Sequence, residues 1–206
     1  MTYVGLSEAG PQPLRRAHAR RVGRTPPQVR QCPRLDRVSD TDPDTAAERQ
    51  FYASLPTTRG AAGALIRSPD GQVLLVERTY KPDEPWGIPG GIIEHGESPL
   101  AACRRELAEE LGVRATVTHL AAVDWVPPSG ERTAALQWLF TARLPEDAEL
   151  RLPPDELSDW AWVAPERLGD LLPARVARRA TAALAAQAAG TTVYLEHGRH
   201  TLEGNR

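Results

Sequence analysis

Three glutamates, Glu106, Glu109 and Glu110, lie in a segment whose leucines recur with the period of a helix. At about 100° per residue the carboxylates share a sector about 100° wide, away from the leucine stripe. Like charges three and four residues apart destabilise a helix by about 0.2–0.5 kcal/mol per pair, so a bound cation would offset their repulsion. Mg²⁺ and Mn²⁺ accept such oxygen ligands and lie against phosphates in enzymes that cleave them. The spacing therefore indicates a divalent metal site, although a solvated glutamate-rich face has the same pattern.

Turn and capping residues predict the elements that must position these glutamates. Ser98 followed by Pro99 predicts the start of the helix, and Gly112 predicts its end. Upstream, residues 61–67 and 73–80 are apolar runs separated by Ser-Pro-Asp-Gly, a turn sequence. These two runs are therefore predicted to form a β-hairpin.

The pattern of strands and helices continues downstream of the glutamates. Residues 115–125 and 134–143 are predicted strands on either side of a proline-rich loop, and residues 159–163 form a further short strand. A helix begins at residues 165–169, and a second one spans residues 174–189 and ends at Gly190.

Composition limits the class of protein. A chain of 206 residues with 41% hydrophobic residues can form one domain with appendages. The net charge of −2 does not support a dedicated nucleic-acid-binding protein. Cys32 and Cys103 are too few for a disulfide scaffold or a thiolate zinc site, and no stretch of about 18 apolar residues could span a membrane. We expect a soluble cytoplasmic protein without a membrane partner.

The near-neutral total conceals an uneven distribution of charge. Residues 1–38 contain eight arginines and two acidic residues, a local charge of +6, and the remainder therefore carries −8. With several prolines and no apolar periodicity, this segment is predicted to be a flexible extension. The alternative is a basic arm that contacts nucleic acid or a partner.

The residues around the glutamates resemble the Nudix box, G-x5-E-x7-R-E-U-x-E-E-x-G-U, where U is aliphatic. Gly91-Ile-Ile-Glu-His-Gly-Glu97 is followed after seven residues by Arg105-Glu-Leu-Ala-Glu-Glu-Leu-Gly-Val113, and every fixed position is present. The preceding Trp86-Gly-Ile-Pro-Gly90 resembles the usual lead-in to that box. The resemblance covers roughly residues 59–170.

This resemblance implies an α/β fold, namely an α/β/α sandwich with a mixed β-sheet in which the box forms a loop–helix–loop. We accordingly predict three parts of the chain. Residues 1–58 form a basic, proline-rich extension, residues 59–190 form a Nudix hydrolase domain, and residues 191–206 form a C-terminal tail.

The resemblance also implies roles for individual residues, carried over by position. The metal-binding set comprises three carboxylates and one carbonyl oxygen, from Glu106, Glu109, Glu110 and Gly90. Glu97 and Arg105 resemble the ion pair that fixes the loop against the helix in the family's catalytic site. The implied cofactor is Mg²⁺ or Mn²⁺.

The implied reaction is metal-dependent hydrolysis of a diphosphate bond in a nucleoside diphosphate derivative or nucleoside triphosphate, releasing a nucleoside monophosphate. Glu109 or Glu106 is the first choice for the general base, and Asp155 or Glu156 of a later loop is the alternative. Other readings are an ADP-ribose or nucleotide-sugar pyrophosphatase, a non-catalytic nucleotide-sensing module and an RNA-end hydrolase.

Several residues outside the box are candidate substrate contacts. Arg78, Tyr80 and Lys81, the last being the sole lysine, end a strand that runs into the box loop. Trp125 could stack on a base. Pro128 lies where ADP-ribose pyrophosphatases of the family tend to carry a proline. Cys103 is expected to be a buried apolar residue, the partner a small-molecule nucleotide, and a homodimer is possible.

Overall fold

The computed structural model describes residues 46–201, which fall into two compact units. The first contains helix α1 (Ala46–Ser54), and the second begins at Thr58. Helix α1 lies within the segment predicted to be a flexible extension, and Phe51 and Tyr52 are exposed on it. The basic segment 1–38 lies outside the described residues.

Between residues 58 and 201, the second unit contains eight strands and three further helices. The strands are β1 (Arg59–Ile66), β2 (Val73–Arg78), β3 (Trp86–Gly87), β4 (Gly90–Ile92), β5 (Thr116–Val126), β6 (Ala135–Arg143), β7 (Leu157–Val163) and β8 (Val193–Glu196). The helices are α2 (Pro99–Leu111), α3 (Leu168–Leu171), which follows a short 3-10 turn, and α4 (Ala174–Ala188). The strands and helices predicted downstream of the glutamates are confirmed, apart from shifts at their ends.

The strands form two sheets. The larger has the order β4-β1-β6-β5-β8, with β1 parallel to β6, β5 parallel to β8 and the other pairs antiparallel. The smaller has the order β3-β2-β7 and is antiparallel. The larger sheet is therefore mixed, as predicted.

The predicted hairpin of β1 and β2 is wrong, although its turn is present. Gly71 donates to the carbonyl of Ser68 at 2.9 Å, and Arg67 and Val73 form one isolated bridge. Beyond that bridge the two strands separate into different sheets, because β1 pairs with β6 over eight residues. A parallel partner distant in sequence leaves no local signal, whereas a turn does.

Two apolar clusters cover opposite faces of the sheets. One cluster joins Val73 and Leu75 of β2 to helix α4, and the other joins Leu74 and Val76 to Leu107 of α2. Successive side chains of a strand point to opposite faces, so both faces of β2 are buried. The arrangement is the α/β/α sandwich expected from the resemblance.

Helix α2 begins and ends where its capping residues predict. The Ser98 hydroxyl accepts a 3.2 Å hydrogen bond from the amide of Ala101, and Pro99 occupies the first turn. At the other end Gly112 has a φ of 67° and donates to the carbonyl of Ala108. This left-handed conformation suits glycine and ends the helix.

The segment predicted to be a tail contributes to the larger sheet. Strand β8 pairs with β5, and the turn after it is held by Asp124 of β5, which is fully buried. The Asp124 carboxylate lies 2.7 Å from Nε of Arg179 on α4 and accepts a hydrogen bond of 3.0 Å from the amide of Gly198. Residues up to at least this turn therefore pack with the domain, beyond the predicted boundary at residue 190. No helix in residues 46–201 has the length and apolar composition needed to cross a membrane.

Candidate active site

The close pairing of β1 with β4 places the Gly90 peptide beside the box helix. Gly63 is opposite Gly90 in this antiparallel pair, and Ala64 donates to the carbonyl of Pro89 at 3.0 Å. A Cβ on Gly63 would lie 2.6 Å from that carbonyl oxygen, and one on Gly90 would lie 2.3 Å from the Cα of Gly63. The two glycines therefore allow a backbone approach that a larger residue would prevent.

Glu110 faces this backbone from α2. Its side chain is buried, with only 5% of the residue exposed, and Oε2 accepts a 2.7 Å hydrogen bond from the amide of Gly90. Burial raises the pKa of Glu110 to about 8, with a further contribution to this value from the charges of Glu106 and Glu156 and an opposing one from the Gly90 hydrogen bond. The carboxylate is therefore held against the loop in an environment that disfavours its negative charge.

Arg105 connects the box loop to the helix. Its Nε and Nη2 donate to the two oxygens of Glu97 at 3.0 and 2.9 Å, and Nη2 also donates to the carbonyl of Ile92. This two-point contact holds the pKa of Glu97 below its usual value. The geometry is that of the predicted loop–helix ion pair.

The same guanidinium also contacts two of the glutamates predicted to bind metal. Nη1 of Arg105 donates to Glu106 at 2.9 Å and to Glu109 at 3.0 Å. A long arginine side chain bridges neighbouring helix positions, including one four residues away, whatever the angular position of its Cα.

Glu106 packs against the backbone of Gly91. A Cβ on Gly91 would lie within 2.4 Å of the Glu106 carboxylate, so this box glycine makes room for it. Burial raises the pKa of Glu106, Arg105 lowers it, and the charges of Glu109 and Glu156 raise it. Glu109 differs from the other two, because 59% of its side chain is exposed.

The donor set fits a hard divalent cation. Carboxylates and a nearby peptide carbonyl are the oxygen ligands that Mg²⁺ and Mn²⁺ prefer, and the crowded negative charge would be relieved by a cation. Within residues 46–201, no three acidic, histidine or cysteine side chains already stand as a ready metal cluster. Arg105 and the Gly90 amide each bond one oxygen of these carboxylates, which leaves the second oxygen of each glutamate for a cation.

A loop carboxylate also approaches the box. Glu156 acts electrostatically on both Glu106 and Glu110. The loop is fixed to the end of β2, because the Thr79 hydroxyl donates to the carbonyl of Asp155 at 2.8 Å and the Thr79 amide donates to that of Glu156 at 2.9 Å. Of the two loop candidates for the general base, Glu156 is the one whose charge acts on the box glutamates.

Arg78 contacts the backbone of the β2–β3 connection. Its Nη2 donates to the carbonyls of Glu84 and Trp86 at 2.7 and 2.8 Å, and its Nε donates to Pro85 at 3.2 Å. These contacts fix the turn that leads into the box, while its charge also lowers the pKa of Glu110. Arg78 therefore positions the β2–β3 connection, in addition to any contact with the substrate.

Tyr80 lies at the edge of the glutamate group. The residue is 59% exposed, and partial burial together with the charges of Glu110, Glu156 and Glu106 raises the pKa of its hydroxyl. Trp125 is half-buried at the end of β5, and Pro128 is exposed in the β5–β6 loop. Tyr80 thus lies within the electrostatic reach of the carboxylates, whereas among residues 46–201 no side-chain hydrogen bond joins Trp125 or Pro128 to them.

Two further residues of the site's surroundings carry no obvious sequence signal. Gly63 lies in a run of small residues, and only its pairing with Gly90 reveals its role. Thr79 is one of many threonines, and only the tertiary structure joins it to the Asp155–Glu156 loop.

Cys103 is fully buried, and burial raises the pKa of its thiol to about 12, which makes it an inert apolar residue as expected.

Comparison with known proteins agrees with this geometry. The family model for the NUDIX domain matches residues 57–185, more than half of the chain. An RNA pyrophosphohydrolase from Novosphingobium aromaticivorans is 31% identical over 139 residues, which cover 59% of this chain and 86% of that protein. Phosphatase NudJ of Escherichia coli is 28% identical over 106 residues, which cover 51% of this chain and 68% of that protein.

A solved structure has the same fold. The MutT NUDIX hydrolase from Burkholderia pseudomallei matches with a TM-score of 0.53 and 28% identity, covering 61% of this chain and 97% of that one. The enzymatic names of these relatives favour a hydrolase over a non-catalytic nucleotide-sensing module. The chain belongs to the NUDIX domain family and is a hydrolase of pyrophosphate bonds in nucleotide derivatives.

Proposed function

We propose that the glutamates of α2 hold Mg²⁺ or Mn²⁺ against the diphosphate of a nucleotide, and that water cleaves the diphosphate to release a nucleoside monophosphate. The observation that carries this proposal is the packing of Glu110 against the Gly90 amide and of Glu106 against Gly91. Burial and the charge of Glu156 raise the pKa of both Glu106 and Glu110, which marks a place where negative charge lacks compensation.

The proposed metal ligands are the carboxylates of Glu106, Glu109 and Glu110 with the carbonyl of Gly90. The bound cation would neutralise charge on the phosphate oxygens and lower the pKa of the attacking water. Nε and Nη2 of Arg105 both donate to Glu97. The third nitrogen, Nη1, can therefore release Glu106 and Glu109 while the loop remains fixed to the helix.

The proposed general base is Glu109, because it is the exposed member of the three and can reach a water molecule at the surface of the site. Glu156 is the alternative, since its loop is fixed against β2 and its charge acts on the other glutamates. The two are separated by measuring kcat against pH for Glu109→Gln and Glu156→Gln. The general base is the residue whose replacement removes the fall in kcat on the acidic side of the pH profile.

The experiment that tests the proposed reaction is a screen of nucleotide substrates with Mg²⁺ and with Mn²⁺. Nucleoside triphosphates, ADP-ribose and nucleotide sugars are compared, and the released monophosphate, pyrophosphate or phosphate is identified. We expect a nucleoside monophosphate among the products and no turnover after chelation. Turnover that persists in excess chelator would overturn the metal assignment.

A second candidate function is hydrolysis at the 5′ end of RNA. It is supported by the similarity to an RNA pyrophosphohydrolase and by the arginine-rich segment 1–38. Neutralising or deleting that segment should then slow cleavage of 5′-triphosphate RNA while leaving cleavage of free nucleotides unchanged. Equal rates on RNA with and without the segment would remove this candidate.

A further inference from the structure

Two consecutive residues at the end of β2 contact two different segments of the candidate active site. The guanidinium of Arg78 donates to the backbone carbonyls of residues 84–86, which lead into the box. Thr79 contacts the loop before β7 instead. Its amide donates to the carbonyl of Glu156 at 2.9 Å, and its hydroxyl donates to the carbonyls of Asp155 and Glu156 at 2.8 and 3.0 Å. The end of β2 therefore joins the box lead-in to a loop far downstream in the sequence.

A β-bulge bends β7 where this loop enters the strand. In the register of β2 with β7, Glu77 is opposite Asp159, and the next residue of β2 is opposite Leu157. Ser158 is therefore an extra residue of β7, and its hydroxyl donates to the Glu77 carboxylate at 2.8 Å. Bulges redirect the chain and its side chains, and they are frequent beside active sites. The bulge thus sets how the loop before β7 meets the end of β2.

The loop that carries Glu156 also lies against helix α2. At its start, the amide of Arg151 donates to the carbonyl of Leu111, the last residue of α2, at 2.9 Å. At its end, Leu157 belongs to the same buried apolar cluster as Leu107 of α2. Backbone and apolar contacts therefore hold the loop beside the helix that carries the box glutamates.

The backbone of Glu156 is fixed, whereas its carboxylate has no partner among the described residues. Its amide donates to the carbonyl of Pro153 at 3.1 Å, and its carbonyl accepts from both the amide and the hydroxyl of Thr79. Across residues 46–201, its carboxylate forms neither a hydrogen bond nor an ion pair. Its charge contributes to the raised pKa of Glu106 and of Glu110. A reactive group needs this combination, because its position must be set by contacts that leave the side chain available.

We propose that Thr79 is a positioning residue whose hydroxyl holds Glu156 where its carboxylate acts together with the box glutamates in hydrolysis. Thr79 acts through Glu156 and not on the substrate. The bond from the amide of residue 79 does not depend on the side chain, whereas the bonds to the two carbonyls require a hydroxyl. This inference rests on the proposed function, since it gives Glu156 a part in the reaction at these glutamates.

The first test follows the loop by amide hydrogen exchange in the full-length, metal-free protein. Thr79→Val removes the hydroxyl at nearly constant volume and keeps the amide of residue 79. We expect the protection of the amides of residue 79 and Glu156 to fall by about three- to tenfold, because the hydroxyl bonds that help to hold the loop are lost. Thr79→Ser keeps the hydroxyl and should retain the protection.

Thr192→Val is the matched control. This exposed threonine, at the entry to β8, donates its hydroxyl to the carbonyl of Leu120 at 2.6 Å. Its replacement should leave the protection of residue 79 and Glu156 unchanged. Native protection in Thr79→Val would overturn the positioning role, and so would an equal loss of protection in the control.

The second test is a double-variant cycle of kcat, measured with a nucleotide that the native enzyme hydrolyses. Thr79→Val should lower kcat by about tenfold in the native background and have no further effect in Glu156→Gln, where the positioned carboxylate is already absent. Thr79→Ser should restore kcat. A merely structural role of Thr79 would instead lower kcat by the same factor in both backgrounds.

Two kinetic results would overturn the proposal. One is a pair of losses that multiply in the double variant, and the other is a native kcat in either Thr79→Val or Glu156→Gln. If the native protein hydrolyses no nucleotide, the proposed function fails, whereas the exchange measurement still decides whether the Thr79 hydroxyl holds the loop.

Discussion

The amide of Gly90 donates a 2.7 Å hydrogen bond to Oε2 of Glu110, and this bond joins the start of β4 to helix α2. The contact places a buried carboxylate against the residue whose carbonyl is a proposed metal ligand. Because Glu110 is buried, the protonation of this one residue couples the stability of the fold to the chemistry of the site.

The metal-free protein should lose stability as pH rises from about 4.5 to about 8. Burial raises the pKa of Glu110 to about 8 from its usual 4.5, so the folded protein retains a proton that the unfolded chain releases. The free energy of unfolding therefore decreases with pH across this range. Thermal unfolding in chelator checks it, and Glu110→Gln should lack this part of the pH dependence. The same slope in the variant would show that another group is responsible.

Loss of a box carboxylate should abolish turnover without unfolding the protein. Glu109→Gln and Glu110→Gln should each lower kcat by about 10²–10⁴-fold at saturating Mg²⁺, because a metal ligand or base is removed. Glu146→Gln, an exposed carboxylate after β6, is the matched control and should retain activity. Near-normal hydrolysis in the two box variants would refute the assignment.

Replacing Arg105 should affect stability and activity together. Arg105→Ala removes the two-point contact with Glu97 and the bond to the Ile92 carbonyl, so the free energy of unfolding should fall by about 1–3 kcal/mol. Arg105→Lys keeps the charge but cannot make the two-point contact, and it should restore only part of the loss. An unaltered melting temperature in Arg105→Ala would count against the loop–helix role.

Adding one methyl group at Gly63 should disturb the site from the opposite strand. A Cβ there would lie 2.6 Å from the carbonyl oxygen of Pro89, so Gly63→Ala should cost about 1–3 kcal/mol and shift Gly90 away from Glu110. Activity and melting temperature report both effects. Gly169→Ala, where a Cβ meets nothing within 4 Å, should leave both unchanged. Equal behaviour of the two variants would mean that the sheet adjusts freely.

Loss of the buried ion pair of Asp124 and Arg179 should lower the free energy of unfolding far more than loss of an exposed pair. Asp124→Ala leaves a buried guanidinium without its carboxylate, and denaturant unfolding should show a loss of about 3–5 kcal/mol. Asp170→Ala breaks the exposed pair with Arg167 and should cost about 1 kcal/mol or less. Similar losses in both variants would argue against the Asp124 contact as the anchor of β8.

Local features of the fold could be predicted from the sequence, whereas pairings between distant segments could not. Ser98 and Gly112 delimit α2 correctly, because caps act within one helical turn. The turn at Ser68–Gly71 was recognised, but the parallel pairing of β1 with β6 was not. The same applies to β8, because its partner strand β5, with the Asp124 that holds the turn after β8, lies far upstream in the sequence.

The sequence by itself determined the family and the spacing of the box glutamates, since both are written in consecutive residues. Only the tertiary structure decided their separate environments, with Glu110 buried against Gly90, Glu106 and Glu109 bound to Arg105, and Glu156 brought in from a distant loop. The physical reason is that exposure, pKa and ion pairing depend on the surroundings of a side chain. Those surroundings come from segments that adjoin only after folding.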